Sequence, residues 1–248
     1  RHDLGGIAWC WLALGSEGRG EQTFATDQDN GLLFVAHDGA PAATVRKQLL
    51  PFAREVNEAL DACGFPLCKG NIMASNPKWC LSLEEWKGTF AEWMQRGDAP
   101  VLLNATIFFD FRPLWGNEAL AYELREWLNA RIKDNRLFLK HMVQNALGNR
   151  PPLGMVRDFV MDGGTLDLKL NGVSPFVDAA RIFSLAAGVV ATNTAQRLRL
   201  AAPALKIPAA EVEGWIVALH FIQLLRLRHQ HEFAGTEAEG AAKRITPH

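Results

Sequence analysis

The residues best suited to chemistry are two acids separated by one position. Asp27 and Asp29 flank Gln28 in Thr26-Asp27-Gln28-Asp29-Asn30. If that stretch is extended, both carboxylates leave the same face a few ångströms apart. Two like charges that close raise each other's proton affinity, and a divalent cation between them removes the conflict. Hard oxygen donors suit Mg²⁺, which uses one or two protein carboxylates together with substrate phosphates. The competing reading is a solvated turn, because Asp and Asn are turn formers. Upstream lies Gly15-Ser16-Glu17-Gly18-Arg19-Gly20. A Gly-Ser turn can set backbone N–H groups and a hydroxyl against a phosphate, or it can be only a flexible loop. No Gly-Lys-Ser/Thr follows and G-x-G-x-x-G spacing is absent, so neither a P-loop nor a dinucleotide fingerprint is present. A third acid, Asp110, stands in Asn104–Arg112, which reads as a strand. Its alternation puts Thr106, Phe108 and Asp110 on one side and Ile107, Phe109 and Phe111 on the other. A carboxylate in so apolar a segment is costly unless a cation or donor meets it. Asp110 is therefore either a site acid or the partner of Arg112, two residues on along the same face.

The elements that must position these groups follow from apolar periodicity. Ile7–Leu14 predicts a buried strand or short helix running into the glycine turn, and Leu32–Ala36 predicts a strand after the acid pair. Val45, Leu49, Phe52, Val56, Leu60 and Cys63 predict an amphipathic helix, stopped by Gly64 and Pro66. Ser82-x-x-Glu85 is a capping box opening a helix with Trp86, Phe90, Trp93 and Met94 on one face. That aromatic stripe reads as core rather than as a ligand platform, and Gly97 and Pro100 close the helix. Beyond Pro113 the pattern turns helical: Leu120–Ile132, Leu137–Leu147, Pro175–Ala187, Asn193–Ala201 and Ala209–His231. The last is apolar almost all round, which suits a central place in a bundle. Asp158–Val160 and Thr165–Leu170 around Gly163-Gly164 suggest a hairpin. From Gly235 the tail is small and polar and is expected to be disordered. The expected class is α+β, with a domain over residues 1–117, a helical domain over 118–234 and a tail over 235–248.

Composition narrows the partners. The 248 residues carry 26 Lys+Arg against 27 Asp+Glu, a net charge of −1, so the basic excess of a nucleic-acid binder is missing. With 48% hydrophobic and 21% charged residues the chain is no disordered polymer. No apolar run reaches the roughly 18 residues of a membrane span, so no membrane partner is expected. Cys63, Cys68 and Cys80 invite a zinc reading, but the spacing is not C-x2-C and a fourth ligand is missing nearby. Four irregularly spaced thiols point instead to a reducing cytoplasm. The first residue is Arg1 and no charged-then-apolar leader follows it, which suggests an excerpt of a longer protein.

Taken together, an apolar segment, Gly-Ser, a spacer, Asp-x-Asp, an apolar strand and a distant third acid resemble the nucleotidyltransferase superfamily of the DNA polymerase β type. The stretch Gly15–Asn30 is most similar to a bacterial group of nucleotidyltransferases found beside cyclic-nucleotide-binding and CBS domains. That group is itself similar to the transferase domain of PII uridylyltransferase. Phe109-Asp110-Phe111-Arg112 and Asp167–Arg181 also resemble it, so the likeness covers nearly the whole chain: a transferase domain, then a helical substrate-binding domain. The resemblance implies that Gly15 and Ser16 hold the triphosphate and that Asp27 and Asp29 bind Mg²⁺ or Mn²⁺. It implies that Asp110 completes a carboxylate triad and helps to deprotonate the attacking hydroxyl. Gln28 departs from the apolar residue usual between the acids in the superfamily but agrees with the closer group.

Other candidates carry less information. Arg19 suits bidentate anion recognition or a plain surface place, and Glu21 is placed to pair with it. Lys69 is a candidate to reach the nucleotide, although a solvated lysine is the simpler reading. Asp178 and Arg181 lie three apart on one helix face, as a structural pair or as part of a substrate cleft. Lys169, Arg226, Arg228 and His229 are candidates for that cleft, with surface or packing roles favoured. The reading that follows is an enzyme moving a nucleotidyl group from an NTP, ATP or UTP, to a hydroxyl on a regulatory protein, with pyrophosphate release. The alternative is a non-catalytic nucleotide-binding module that signals to neighbouring CBS or cyclic-nucleotide-binding domains.

Overall fold

The computed structural model describes residues 2–24, 26–36, 39–97, 106–148, 166–233 and 244–245. The chain divides into two compact units, residues 1–22 with 26–135, and residues 23–25 with 136–248.

The first unit is built on a four-stranded sheet in the order β3-β2-β1-β4. β1 (Ala8–Ala13) lies at its centre and pairs antiparallel with β2 (Asn30–Val35), from Ala8↔Val35 to Ala13↔Asn30. β3 (Cys80–Ser82) joins β2 in parallel, and β4 (Arg112–Gly116) joins β1 antiparallel with a register shift between Trp11 and Leu12. Trp11, Leu32 and Phe34 meet Val45, Leu49 and Ala53 of helix α2 (Ala42–Ala62) in one cluster. Cys10, Leu12 and Leu33, which alternate to the opposite face, are buried too. Both faces of the central strands are therefore covered, which is why β1 and β2 read as near-continuous apolar runs.

Helix α3 (Leu83–Arg96) starts at the expected capping box: Ser82 Oγ accepts from Glu85 N at 3.3 Å, and Ser82 N donates to Glu85 Oε2 at 2.8 Å. It ends at Gly97, whose φ of 58° lies in the left-handed region that glycine adopts without strain. Trp86, Phe90, Trp93 and Met94 are all buried, so the aromatic stripe is core as expected. Phe90 meets Phe109 edge-on at 5.1 Å between centroids, and Trp79 lies 4.2 Å from Phe108. Helix α4 (Glu118–Lys133) packs on α3, β1 and β4. Because of that packing the first compact unit runs past the boundary expected at residue 117, through Asn135.

Of the strand expected over Asn104–Arg112, the described residues 106–111 do not form one. Residues 106–108 are helical, Phe109 and Asp110 make a turn, and extended structure begins only at Arg112. The physical reason is burial on every side. Phe108, Phe109, Asp110 and Phe111 are consecutive and all buried, which a two-faced alternating strand at a sheet edge cannot provide. Arg125 of α4 holds the turn by donating to the carbonyls of Phe109, at 2.7 Å, and Phe111, and its guanidinium lies 3.7 Å over the Phe111 ring.

The second unit is mainly helical: α5 (Arg136–Gly148), a π-helical turn (Leu168–Val173), α6 (Ser174–Ala187), α7 (Thr194–Ala201) and α8 (Ala209–Glu232). Ala180, Ala195, Leu198, Val212 and Ile216 form its principal described cluster. The expected hairpin is corrected in part. Its first arm, Asp158–Val160, lies outside the described residues. The second is a strand only at β5 (Leu166–Asp167), because Asp167 Oδ1 caps the next turn by accepting from Lys169 N and Leu170 N. β5 pairs with β6 (Arg244–Ile245), so the tail expected to be disordered contributes a strand there. Helix α8 is not a central helix. It buries Val212, Ile216 and Leu219 against α7 and the π-helical turn, while Val217 and Phe221 are exposed. No helix among the described residues is long and apolar enough to cross a membrane.

Candidate active site

The site is organised by α1 (Gly15–Gly18), one turn of helix at the end of β1. Gly15 has φ 55°, and a Cβ there would stand 3.3 Å from Asp29 Oδ2. At Gly18 a Cβ would come within 1.8 Å of the Asp110 carbonyl oxygen and 2.9 Å of that of Ala13. Only glycine satisfies both positions. The two glycines thus let the turn fit between the segment carrying Asp29 and the segment carrying Asp110. Ser16 is half-buried in the same turn, and its carbonyl accepts from Glu21 N at 2.8 Å.

The acid pair sits just before β2. Leu14 N donates to the Asp29 carbonyl at 2.9 Å, which carries the β1–β2 ladder one residue beyond Asn30. Burial alternates as an extended segment requires: Asp27 exposed, Gln28 buried, Asp29 half-buried, Asn30 buried. Both carboxylates therefore project to the outer side. Gln28 N donates to Pro66 O at 3.0 Å and Asn30 N to Ile72 O at 3.1 Å, so the loop 66–72 runs alongside the pair. Lys69 is exposed on that loop. The adjacent Cys68 thiol is pushed up chiefly by burial, and its hydrogen bond with Asp29 adds to the rise. Glu17, which the sequence did not single out, lies in the same field. Burial raises its carboxyl above the ordinary range, Arg112 lowers it and Asp29 raises it.

Asp110 is fully buried, and Arg19 Nη1 donates to its Oδ2 at 2.6 Å. Arg19 Nε reaches Glu21 Oε2 at 2.8 Å, the pairing anticipated for Glu21. Arg112, the alternative partner for Asp110, instead donates to the Glu17 carbonyl at 3.2 Å. Among the described residues no three His, Cys, Asp or Glu gather into a group able to hold a metal ion. Asp27 and Asp29 offer hard carboxylate oxygens on the outer side, the donor type that suits Mg²⁺.

Residues 3–100 match the family model described as "Putative nucleotidyltransferase DUF294". Residues 136–248 match the model described as "Putative nucleotidyltransferase substrate binding domain". The two matches together support a nucleotidyltransferase, with the transferase region first and the substrate-binding region after it. No curated protein matches it. The transferase match contains Gly15, Ser16, Arg19, Asp27, Asp29 and Lys69, whereas Asp110 and Arg112 lie beyond its end. The second match opens at residue 136, where the longer stretch of the second compact unit also begins. In that substrate-binding domain Asp178 and Arg181 are buried on α6 and pair at 2.7 Å, as a structural pair would. Lys169 is exposed and Arg226 half-buried.

Behind the acid pair of the transferase domain is a feature that sequence reading missed. Gln28, Asn30 and Asn57 are all buried and hydrogen-bonded to one another. Asn57 sits 27 residues after Asn30, on the inner face of α2. Its only signal in the sequence was an amide at a position where helical period calls for an apolar residue.

Proposed function

We propose that this nucleotidyltransferase moves an NMP group from ATP or UTP to a hydroxyl on a protein acceptor, in the manner of PII uridylyltransferase. The acceptor oxygen bonds to the α-phosphorus, the bond from that phosphorus to the leaving pyrophosphate breaks, and the hydroxyl proton passes to a carboxylate. The observation that carries the reading is the outward acid pair, Asp27 and Asp29, set against the Gly15 turn within the matched transferase region. These two residues would hold Mg²⁺ or Mn²⁺, which when bound supplies charge neutralisation and orientation of the phosphates. Gly15 and Ser16 offer backbone N–H groups and a hydroxyl to the triphosphate, and Lys69 on the loop alongside offers a cation. Arg19, just after the Gly15–Gly18 turn, is proposed to reach the phosphates, and Asp110, with which it pairs, to take the hydroxyl proton. The substrate-binding domain, with Lys169, Asp178, Arg181 and Arg226, is proposed to receive the acceptor. CBS or cyclic-nucleotide-binding domains in a longer chain would regulate the reaction in the cytoplasm.

The second reading, a nucleotide-binding module without catalysis, is favoured by one observation: the Asp110 carboxylate is buried against Arg19. Incubation of the chain with each α-labelled NTP, Mg²⁺ and cell lysate separates the two. Transfer of label to a protein band, stopped by EDTA, is expected for the enzyme. Nucleotide binding without label transfer under any NTP would favour the module.

A further inference from the structure

The acid pair faces outward, Asp27 exposed and Asp29 half-buried, so something must hold it in one register. The sheet ladder does not do this alone. Its last bond on this side is Leu14 N to Asp29 O, which leaves Asp27 and Gln28 outside the β1–β2 pairing. What lies behind them is a closed group of side-chain amides. Gln28 Nε2 donates to the carbonyls of Asn57, at 2.9 Å, and Phe65, at 2.8 Å. Asn57 Nδ2 donates to Gln28 Oε1 at 2.7 Å and to Asn30 Oδ1 at 3.0 Å. Asn30 Nδ2 reaches Gln28 Oε1 at 3.4 Å, Ala74 N donates to Asn30 Oδ1 at 2.8 Å, and Ser75 N to Asn57 Oδ1 at 3.1 Å.

Three features make this more than core filling. Gln28 and Asn30 occupy the inward positions interleaved with Asp27 and Asp29, so each inward side chain fixes the peptide units that aim an outward acid. The bonds are directional, whereas apolar side chains at the same places would tolerate sliding. A slip of one residue would turn both carboxylates into the interior. The group also ties the acid segment to α2 through Asn57 and to the segments at Phe65 and Ala74–Ser75, so three separate stretches of chain fix one short segment. Buried amides are costly unless every donor and acceptor is met, and here each side chain meets several.

We infer that Gln28, Asn30 and Asn57 form a positioning triad that sets the geometry, and so the metal affinity, of Asp27 and Asp29. The inference rests on the proposed metal-binding role of that pair. The triad touches no substrate; it acts through the two acids.

The test uses Mn²⁺ as probe, with free ion read by electron paramagnetic resonance, on the full chain with a non-hydrolysable α,β-methylene analogue of ATP or UTP. The variants are Gln28→Met and Asn57→Leu, which remove amides of similar size without adding charge. Asp27→Asn/Asp29→Asn is the control, and circular dichroism melting is followed throughout. A positioning role predicts that folded Gln28→Met and Asn57→Leu bind Mn²⁺ at least tenfold more weakly, with the number of sites per folded molecule unchanged. A merely structural role would lower the melting temperature and the folded fraction but leave the affinity of the folded molecules as in the wild type, and that result overturns the inference. Failure of both variants to fold would make the triad a folding element and also overturn it. Equal Mn²⁺ binding by the wild type and the Asp27→Asn/Asp29→Asn control would instead defeat the metal reading itself, and the inference with it.

Discussion

Replacing Asp110 by Asn keeps the shape of the side chain and removes its charge. The carboxylate is fully buried and accepts from Arg19 Nη1 at 2.6 Å, and the Arg19 side chain is itself only 10% exposed. Breaking a buried pair by removing one partner costs about 3–5 kcal/mol when the other charge is left uncompensated. Arg19 retains Glu21 at 2.8 Å, and an amide oxygen at position 110 can still accept its proton. The expected loss is therefore smaller, roughly 2–3 kcal/mol, the order of an impaired charge-assisted hydrogen bond. At about 2–4 °C per kcal/mol for a chain this long, melting falls by roughly 4–12 °C. A double-mutant cycle with Arg19→Gln should give a coupling of at least ~1 kcal/mol. In the same preparation nucleotide affinity should stay within about tenfold, while transfer per folded molecule falls at least ~100-fold, the low end for losing a positioned proton acceptor. Additive single mutants with unchanged melting would refute the pairing, and a stable mutant with near-normal turnover would remove Asp110 from the site.

Gly18→Ala puts a Cβ within 1.8 Å of the Asp110 carbonyl oxygen and should cost about 3 kcal/mol or more, whereas Gly20→Ala meets open space at φ 67° and should cost only about 1–2 kcal/mol; equal melting losses would contradict the fit of α1 against Asp110. A nucleotide at about 100 times its Kd should add about 2.7 kcal/mol and raise melting by roughly 5–10 °C; the shift should require Mg²⁺, vanish with EDTA and favour one base. Burial pushes the Cys10 and Cys80 thiols up to about 12, with Glu118 adding at Cys10, while Cys63 is exposed. At pH 8 iodoacetamide should therefore modify Cys63 first by mass spectrometry, and early labelling of Cys10 or Cys80 would contradict the packing of β1 and β3.

The sequence was most legible where local chemistry and tertiary packing agree. Ser82-x-x-Glu85, Gly97 and the Trp86–Phe90–Trp93 stripe each carry a local signal, and α3 forms as those signals require. The acid pair was legible because alternation alone decides which side Asp27 and Asp29 take. Asp110 was misplaced because alternation was applied to a segment buried on every side. The elements that bury it, α3 and α4, and the Arg125 clamp on its flanking carbonyls are tertiary facts. The amide triad was hidden for a related reason: Gln28 and Asn57 meet across 29 positions, and the polar residue between the acids and the amide on α2 gain a shared meaning only when the two segments are packed together. The apolar circumference of α8 misled in the opposite sense, since hydrophobicity states what can be buried rather than what is.

The most direct test of the central claim is calorimetric titration of wild type and Asp27→Asn/Asp29→Asn with Mg²⁺–ATP and Mg²⁺–UTP. The acid pair predicts metal-dependent binding of one nucleotide by the wild type. The folded double mutant should lose at least tenfold of that affinity, about 1.4 kcal/mol, and its residual binding should no longer depend on Mg²⁺. Unchanged Mg²⁺–nucleotide affinity in a folded double mutant would contradict the account.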